Sequence, residues 1–164
     1  MTEPIFNVLF LCTANSARSI MAEACLNQIG GSRFRAYSAG SQPAAQVHPQ
    51  ALALLRRHGY ATETLSSKSW DTFAAPGAPV MDFVFTVCDR AAAEVCPTWP
   101  GQPLSAHWGV ADPVQVQGDE VQVNKAFADA FITLQRRIGM FAALPLDKLD
   151  RLSLQHEVQR IGQA

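Results

Sequence analysis

The segment from Ile5 to Gly31 constrains the fold more than any other part of the chain. Ile5 to Leu11 (IFNVLFL) is apolar at nearly every position and rich in branched and aromatic residues, as a strand buried on both faces requires. From Ala17 to Gln28 the pattern changes to a helical stripe of Ile20, Met21, Ala24 and Cys25, which Gly30 and Gly31 close. Between them, Cys12-Thr13-Ala14-Asn15-Ser16-Ala17-Arg18-Ser19 carries mostly small side chains, suited to a tight reversal. A strand without a polar face needs strands at both edges and helices above and below. This strand–loop–helix unit therefore commits the chain to a parallel sheet.

The remaining sequence supplies the partners. Arg35 to Ser38 predicts a second strand that ends at Gly40, and Met81 to Val87 (MDFVFTV) a third. Leu104 to Trp108 predicts a fourth. His48-Pro49 opens a second helix, with Leu52, Leu55 and Tyr60 along one side and a stop at Gly59. Glu120 to Phe141 predicts a long helix with Val123, Phe127, Ala130, Phe131, Leu134 and Ile138 on one side. A last amphipathic helix follows Pro145, from Asp147 to Ile161. The expected class is α/β: a three-layer sandwich with a central four-stranded parallel sheet and helices on both faces. No repeat, linker or low-complexity block divides residues 1–164, so one domain is expected. Ligand sites in such sheets lie beyond the carboxyl ends of the strands. That rule selects Cys12 to Arg18, the segment from Cys88 onward, and Trp108 to Asp112.

Composition narrows the function classes. At 164 residues, 48% hydrophobic and 16% charged, the chain is long enough to bury a core without covalent staples. A formal net charge of -1 provides no electrostatic footprint for nucleic acid or an anionic membrane, and neither is an expected partner. The longest apolar run is far short of a bilayer span and lacks the flanks of a signal peptide, so the expected location is cytoplasmic. There, four cysteines are read as thiols, metal ligands or redox groups rather than structural bridges. No second Cys pair and no His cluster has the spacing of a zinc site.

The loop after the first strand has the pattern Cys-x5-Arg-Ser. A backbone curled this tightly aims successive amide N–H groups of Thr13, Ala14, Asn15, Ser16, Ala17, Arg18 and Ser19 at one concavity. The helix that follows adds its positive end. Arg18 can fold over the loop and fork two hydrogen bonds onto a tetrahedral oxyanion. Cys12 sits at the bottom of the cradle, where these fields predict a lowered thiol pKa and a resting thiolate. Ser19 can donate to that sulfur, and Asn15 tolerates the left-handed backbone that such a turn needs.

These residues, CTANSARSIMAEA at 12 to 24, resemble the low-molecular-weight tyrosine phosphatase superfamily. The wider pattern is similar to the arsenate reductases built on that fold: YSAGS at 37 to 41, the His48-Pro49 helix, TVCD at 86 to 89, CP at 96 to 97 and HWGVADP at 107 to 113. The resemblance implies that Cys12 attacks arsenate, with phosphate or sulfate as competing oxyanions, and that Cys88 then attacks the Cys12 sulfur and expels arsenite. It further implies that Cys96 resolves the resulting bond and that an external thiol completes the cycle, from thioredoxin or from glutaredoxin with glutathione. Asp112 matches the acid of the phosphatase branch. Asn15, Glu23 and Ser38 match residues that hold a potassium ion in some reductases; no tightly bound cofactor is otherwise implied.

Two further readings stay open. A low-molecular-weight protein-tyrosine or small phosphomonoester phosphatase needs only Cys12, Arg18 and Asp112. However, Val114, Gln115 and Val116 follow Pro113, and no tyrosine lies beyond Tyr60 to frame an aromatic substrate. A non-enzymatic oxyanion-binding or redox-sensing module is the other. Cys25, on the apolar helical stripe, is assigned to the core. Phe83, Trp99 and Trp108 are assigned to core or cleft wall, and His107 to packing.

Overall fold

The computed structural model describes residues 4–88 and 99–164. Its four strands are β1 (Phe6–Cys12), β2 (Phe34–Gly40), β3 (Phe83–Thr86) and β4 (Leu104–His107). They form one parallel sheet in the order β2-β1-β3-β4. The two apolar runs of the sequence are thus the two central strands. The edge strands carry the polar positions: Arg35 on β2 and both Ser105 and His107 on β4 are exposed. The expected four-stranded parallel α/β architecture is borne out, with strand boundaries shifted by at most two residues.

The helices are α1 (Arg18–Ile29), α2 (Pro49–Arg57), α3 (Asp71–Ala74), α4 (Glu120–Ala142) and α5 (Arg151–Gly162). Helix α1 is buried at every position from Ser19 to Leu26, wedged between the sheet and α4. Val8, Phe10, Phe83 and Phe85 meet Ile20, Phe127, Phe131, Leu134, Ile138 and Phe141 in the main core. Trp108 closes this core, stacked on Phe85 with ring centroids 3.9 Å apart, and its indole N–H donates to the Val158 carbonyl at 2.9 Å. On the opposite face Leu9, Leu11, Ala39 and Val84 are covered by Trp70, Phe73 and Met81 around α3, with Trp99 against them. Helix α3 is four residues long and has no periodic signature in the sequence.

Helix starts follow side-chain chemistry. Asp119 and Gln122 form a reciprocal capping box at α4, Asp150 accepts from the Ser153 amide at α5, and His48 Nδ1 accepts from the Gln50 amide at α2. Helix α1 differs from these three, with Ala17 as its N-cap and no side-chain cap on its first amides. Those amides lie at the carboxyl end of β1, where they remain available to a ligand. Among the described residues no helix is long and apolar enough to cross a membrane.

Candidate active site

The segment between β1 and α1 curls because Asn15 adopts φ 49°, as the sequence predicts for an Asn in a tight loop. Its carbonyl groups turn outward. Thr13 O accepts from the Gln42 amide, Ala14 O from the Ala44 amide and the Ser67 hydroxyl, and Ser16 O from the His48 amide, at 2.8 to 3.0 Å. With the carbonyls held by the surrounding shell, the amides of Asn15 and Ser19 face the Cys12 sulfur. Gly40, at the end of β2, is required by this closeness: a Cβ there would collide with the Thr13 carbonyl and lie 2.9 Å from the Cys12 oxygen.

Cys12 is 3% exposed and its Sγ lies 2.8 Å from Ser19 Oγ. Support comes from behind. The Lys68 amide donates to Asn15 Oδ1, and Asn15 Nδ2 donates to Ser19 Oγ, each at 2.8 Å. The serine oxygen thus accepts from Asn15 and keeps its own proton to donate to the sulfur when Cys12 is a thiolate. Burial nevertheless pushes the Cys12 thiol up from its ordinary value, and the nearby Cys88 adds to this. The Ser19 hydroxyl and the amides of Ser19 and Asn15 pull it down. The net direction is opposite to the sequence expectation of a lowered thiol pKa.

Part of the reason is where Arg18 rests. Its Nη1 donates to the Val110 carbonyl at 2.9 Å and its Nη2 lies 3.3 Å from Asp112 Oδ2. The guanidinium is thereby engaged by the 109–112 segment. Asp112 Oδ1 accepts from the Val114 amide at 3.0 Å, so the same carboxylate starts a 3-10 turn, Pro113–Gln115, and faces Arg18. One carboxylate thus both caps this turn and meets Arg18.

Cys88, at the end of β3, is buried and its Sγ lies 3.5 Å from Thr13 Oγ1. Thr13, Ala14, Arg18, Cys88 and Asp112 line one cavity of about 890 Å³, with His107 and Gln42 at its walls. The three segments chosen by the strand-end rule therefore meet. Among the described residues no Phe, Tyr or Trp lines this cavity. Cys12 and Cys25 are free thiols. Cys25 is fully buried, its thiol pushed up to about 12 mainly by burial, as befits a core residue. Cys96 lies outside the described residues.

Asn15, Glu23 and Ser38 are all buried, but they do not fit a resident potassium ion. Asn15 Oδ1 is occupied by the Lys68 amide, and the Ser38 hydroxyl donates to Glu23 Oε1. Lys68 Nζ stands 3.9 Å from that same oxygen and donates to the Ser66 carbonyl, so an ammonium already supplies the positive charge. Burial pushes the Glu23 carboxyl up and Lys68 down, each opposed by the other's charge. Among the described residues no group of three or more His, Cys, Asp or Glu side chains converges as a metal site. The supporting roles of Ser67 and Lys68 were not legible beforehand. Their segment, Leu65 to Ser69, reads only as a polar loop, and nothing in it signals contact with a loop 53 residues away.

The fold and this cradle define a class, and the comparisons agree with it. The family described as "Low molecular weight phosphotyrosine protein phosphatase" matches residues 7–153, and the chain belongs to it. Within it, the chain resembles proteins named as arsenate reductases. That of Bacillus subtilis (strain 168) is 36% identical over 135 residues, 82% of this chain and 94% of the relative. The solved arsenate reductase from Archaeoglobus fulgidus DSM 4304 superposes with a TM-score of 0.62 at 29% identity, covering 80% of this chain and 98% of that one. A Corynebacterium glutamicum thioredoxin-dependent arsenate reductase shares the fold with a TM-score of 0.58 at 24% identity over 83% of this chain; the chain spans 61% of that protein's length.

Proposed function

We propose that this protein reduces arsenate to arsenite by a thiol relay, serving arsenic detoxification. The observation that carries the reading is the pair of buried thiols at the ends of adjacent parallel strands: Cys12 next to Thr13, and Cys88, which lines one cavity with Thr13, Arg18 and Asp112. The likeness to named arsenate reductases supports the same substrate. Arsenate enters the cradle against the loop amides, and Arg18 transfers from Asp112 and Val110 to the oxyanion. The Cys12 thiolate attacks arsenic and forms an S–As bond, while an arsenate oxygen leaves as water, with Asp112 as the acid that protonates it. The Cys88 thiolate then attacks the Cys12 sulfur. The S–S bond forms, the S–As bond breaks, and its electron pair stays with arsenic, which departs as arsenite.

Exchange with Cys96 passes the disulfide to Cys88–Cys96 and restores Cys12. An external dithiol of thioredoxin type, or glutathione with glutaredoxin, returns both electrons. The phosphomonoesterase reading uses Cys12, Arg18 and Asp112 alike but gives Cys88 no task, and among the described residues no Phe, Tyr or Trp lines the cavity to stack an aryl ester. The test is Cys88→Ser. Multi-turnover arsenite release is expected to vanish, while slow cleavage of an aryl phosphate persists. Undiminished arsenate turnover by that variant would eliminate the relay.

A further inference from the structure

Behind the 108–112 segment, on the side away from the cavity, stands a buried arginine that the proposed chemistry does not use. Arg137 lies on α4 among Leu134, Ile138 and Phe141 and is 8% exposed. Its Nη1 donates to the Gly109 carbonyl at 2.9 Å. Its Nε and Nη2 reach the Ala164 carbonyl at 3.4 and 3.3 Å. Burying a guanidinium is costly, and an unbranched apolar side chain would fill the same space without that cost. What the charge does here is hold a carbonyl.

That carbonyl belongs to a chain of fixed points. Trp108 is anchored by its stack on Phe85 and by its amide donating to Thr86 O at 2.7 Å. Val110 is anchored by its amide to Val87 O at 3.0 Å. Gly109, between them, is tied to Arg137, and the next groups along the chain are the Val110 carbonyl and Asp112, the two partners of Arg18. Gly162, at the end of α5, packs so closely on the His107 carbonyl and the Trp108 ring that a Cβ would clash with both. The segment is thus clamped by α4 and α5 and offers Gly109, Val110, Ala111 and Asp112 to the cavity, which Gly162 also lines.

We propose that Arg137 is a positioning residue for proton transfer: by holding the Gly109 carbonyl it sets the depth at which Asp112 and Arg18 enter the cavity. This rests on the reading of Cys12 as nucleophile and Asp112 as acid. As the Cys12 thiolate attacks phosphorus of an ester, the S–P bond forms and the P–O bond breaks. The electron pair goes to the leaving oxygen, which takes the Asp112 proton. A good leaving group such as p-nitrophenolate needs that proton little; phenolate needs it badly. Misplacing the acid therefore penalises phenyl phosphate selectively, whereas a general loss of folded protein lowers both substrates in proportion.

The experiment compares kcat/KM for phenyl and p-nitrophenyl phosphate in the full chain and in Arg137→Met, Arg137→Lys and Asp112→Asn, with thermal unfolding recorded for each. The ratio of phenyl to p-nitrophenyl kcat/KM is expected to fall about tenfold or more in Asp112→Asn, by a substantial part of that in Arg137→Met, and less in Arg137→Lys, which keeps one donor. If Arg137→Met does not fold, the Lys variant carries the comparison. A ratio unchanged in the Arg137 variants while Asp112→Asn lowers it would overturn the positioning role alone. A ratio unchanged in Asp112→Asn, or no ester cleavage by the unaltered protein, would overturn the acid–nucleophile reading and this proposal with it.

Discussion

At the scale of single residues, the decisive balance is at the Cys12 sulfur. Burial raises the thiol pKa, while the Ser19 hydroxyl and two amides oppose that rise. Ser19→Ala removes the donor that the thiolate gains most from, so the pKa moves further up. At a fixed pH below that value the thiolate fraction, and with it the alkylation rate by iodoacetamide, falls. Asp112→Ala acts in the opposite direction: it frees the Arg18 guanidinium from its carboxylate, so the thiol pKa falls and alkylation at neutral pH quickens. Alkylation rates followed from pH 6 to 10 in the two variants check both signs, and identical profiles would contradict the electrostatic description of the loop.

At the scale of elements, the loop depends on the strand beside it. The β2 end approaches so closely that Gly40→Ala drives a methyl into the Thr13 and Cys12 carbonyls and the Asn15 amide. The expected cost is about 1 to 3 kcal/mol of stability, read from urea unfolding, and a loss of the protection that phosphate gives Cys12 against alkylation. Gly40 was visible in the sequence as the end of a strand; its reason was not, because the contact joins residues 25 or more positions apart. The same distinction runs through the fold. β1 and β3 were legible because burial on both faces forces a continuous apolar run, and α4 because its one buried side repeats with helical period. Helix α3, a single turn seated by Trp70 and Phe73 on the far face of the sheet, has no period to read. The Cys-x5-Arg-Ser loop was legible because its chemistry is local. The resting place of Arg18 on Asp112, and Lys68 beside Glu23, are set by tertiary neighbours and leave no trace in spacing.

At the scale of the molecule, one aromatic column links the rear helices to the cavity. Trp108 is fully buried, touches Phe85, Phe10 and Phe141, and hangs its indole on α5. Trp108→Ala is expected to cost about 3 to 5 kcal/mol. It should also weaken phosphate protection of Cys12, because the 109–112 segment loses its anchor; calorimetry and alkylation measure the two. The whole design brings the Cys88 thiol, the Arg18 guanidinium and the Asp112 carboxylate from three separate strand ends to one concavity, with the Cys12 thiol buried beside it. Its most direct test is a single turnover: the reduced protein is mixed with excess arsenate in the absence of any external thiol, and arsenite and peptide masses are quantified together. The account predicts one equivalent of arsenite per chain with Cys88 in a disulfide, to Cys12 or to Cys96, and Cys25 still free. Arsenite without a Cys88 disulfide, or a fully reduced protein that has bound arsenate and released nothing, would contradict it.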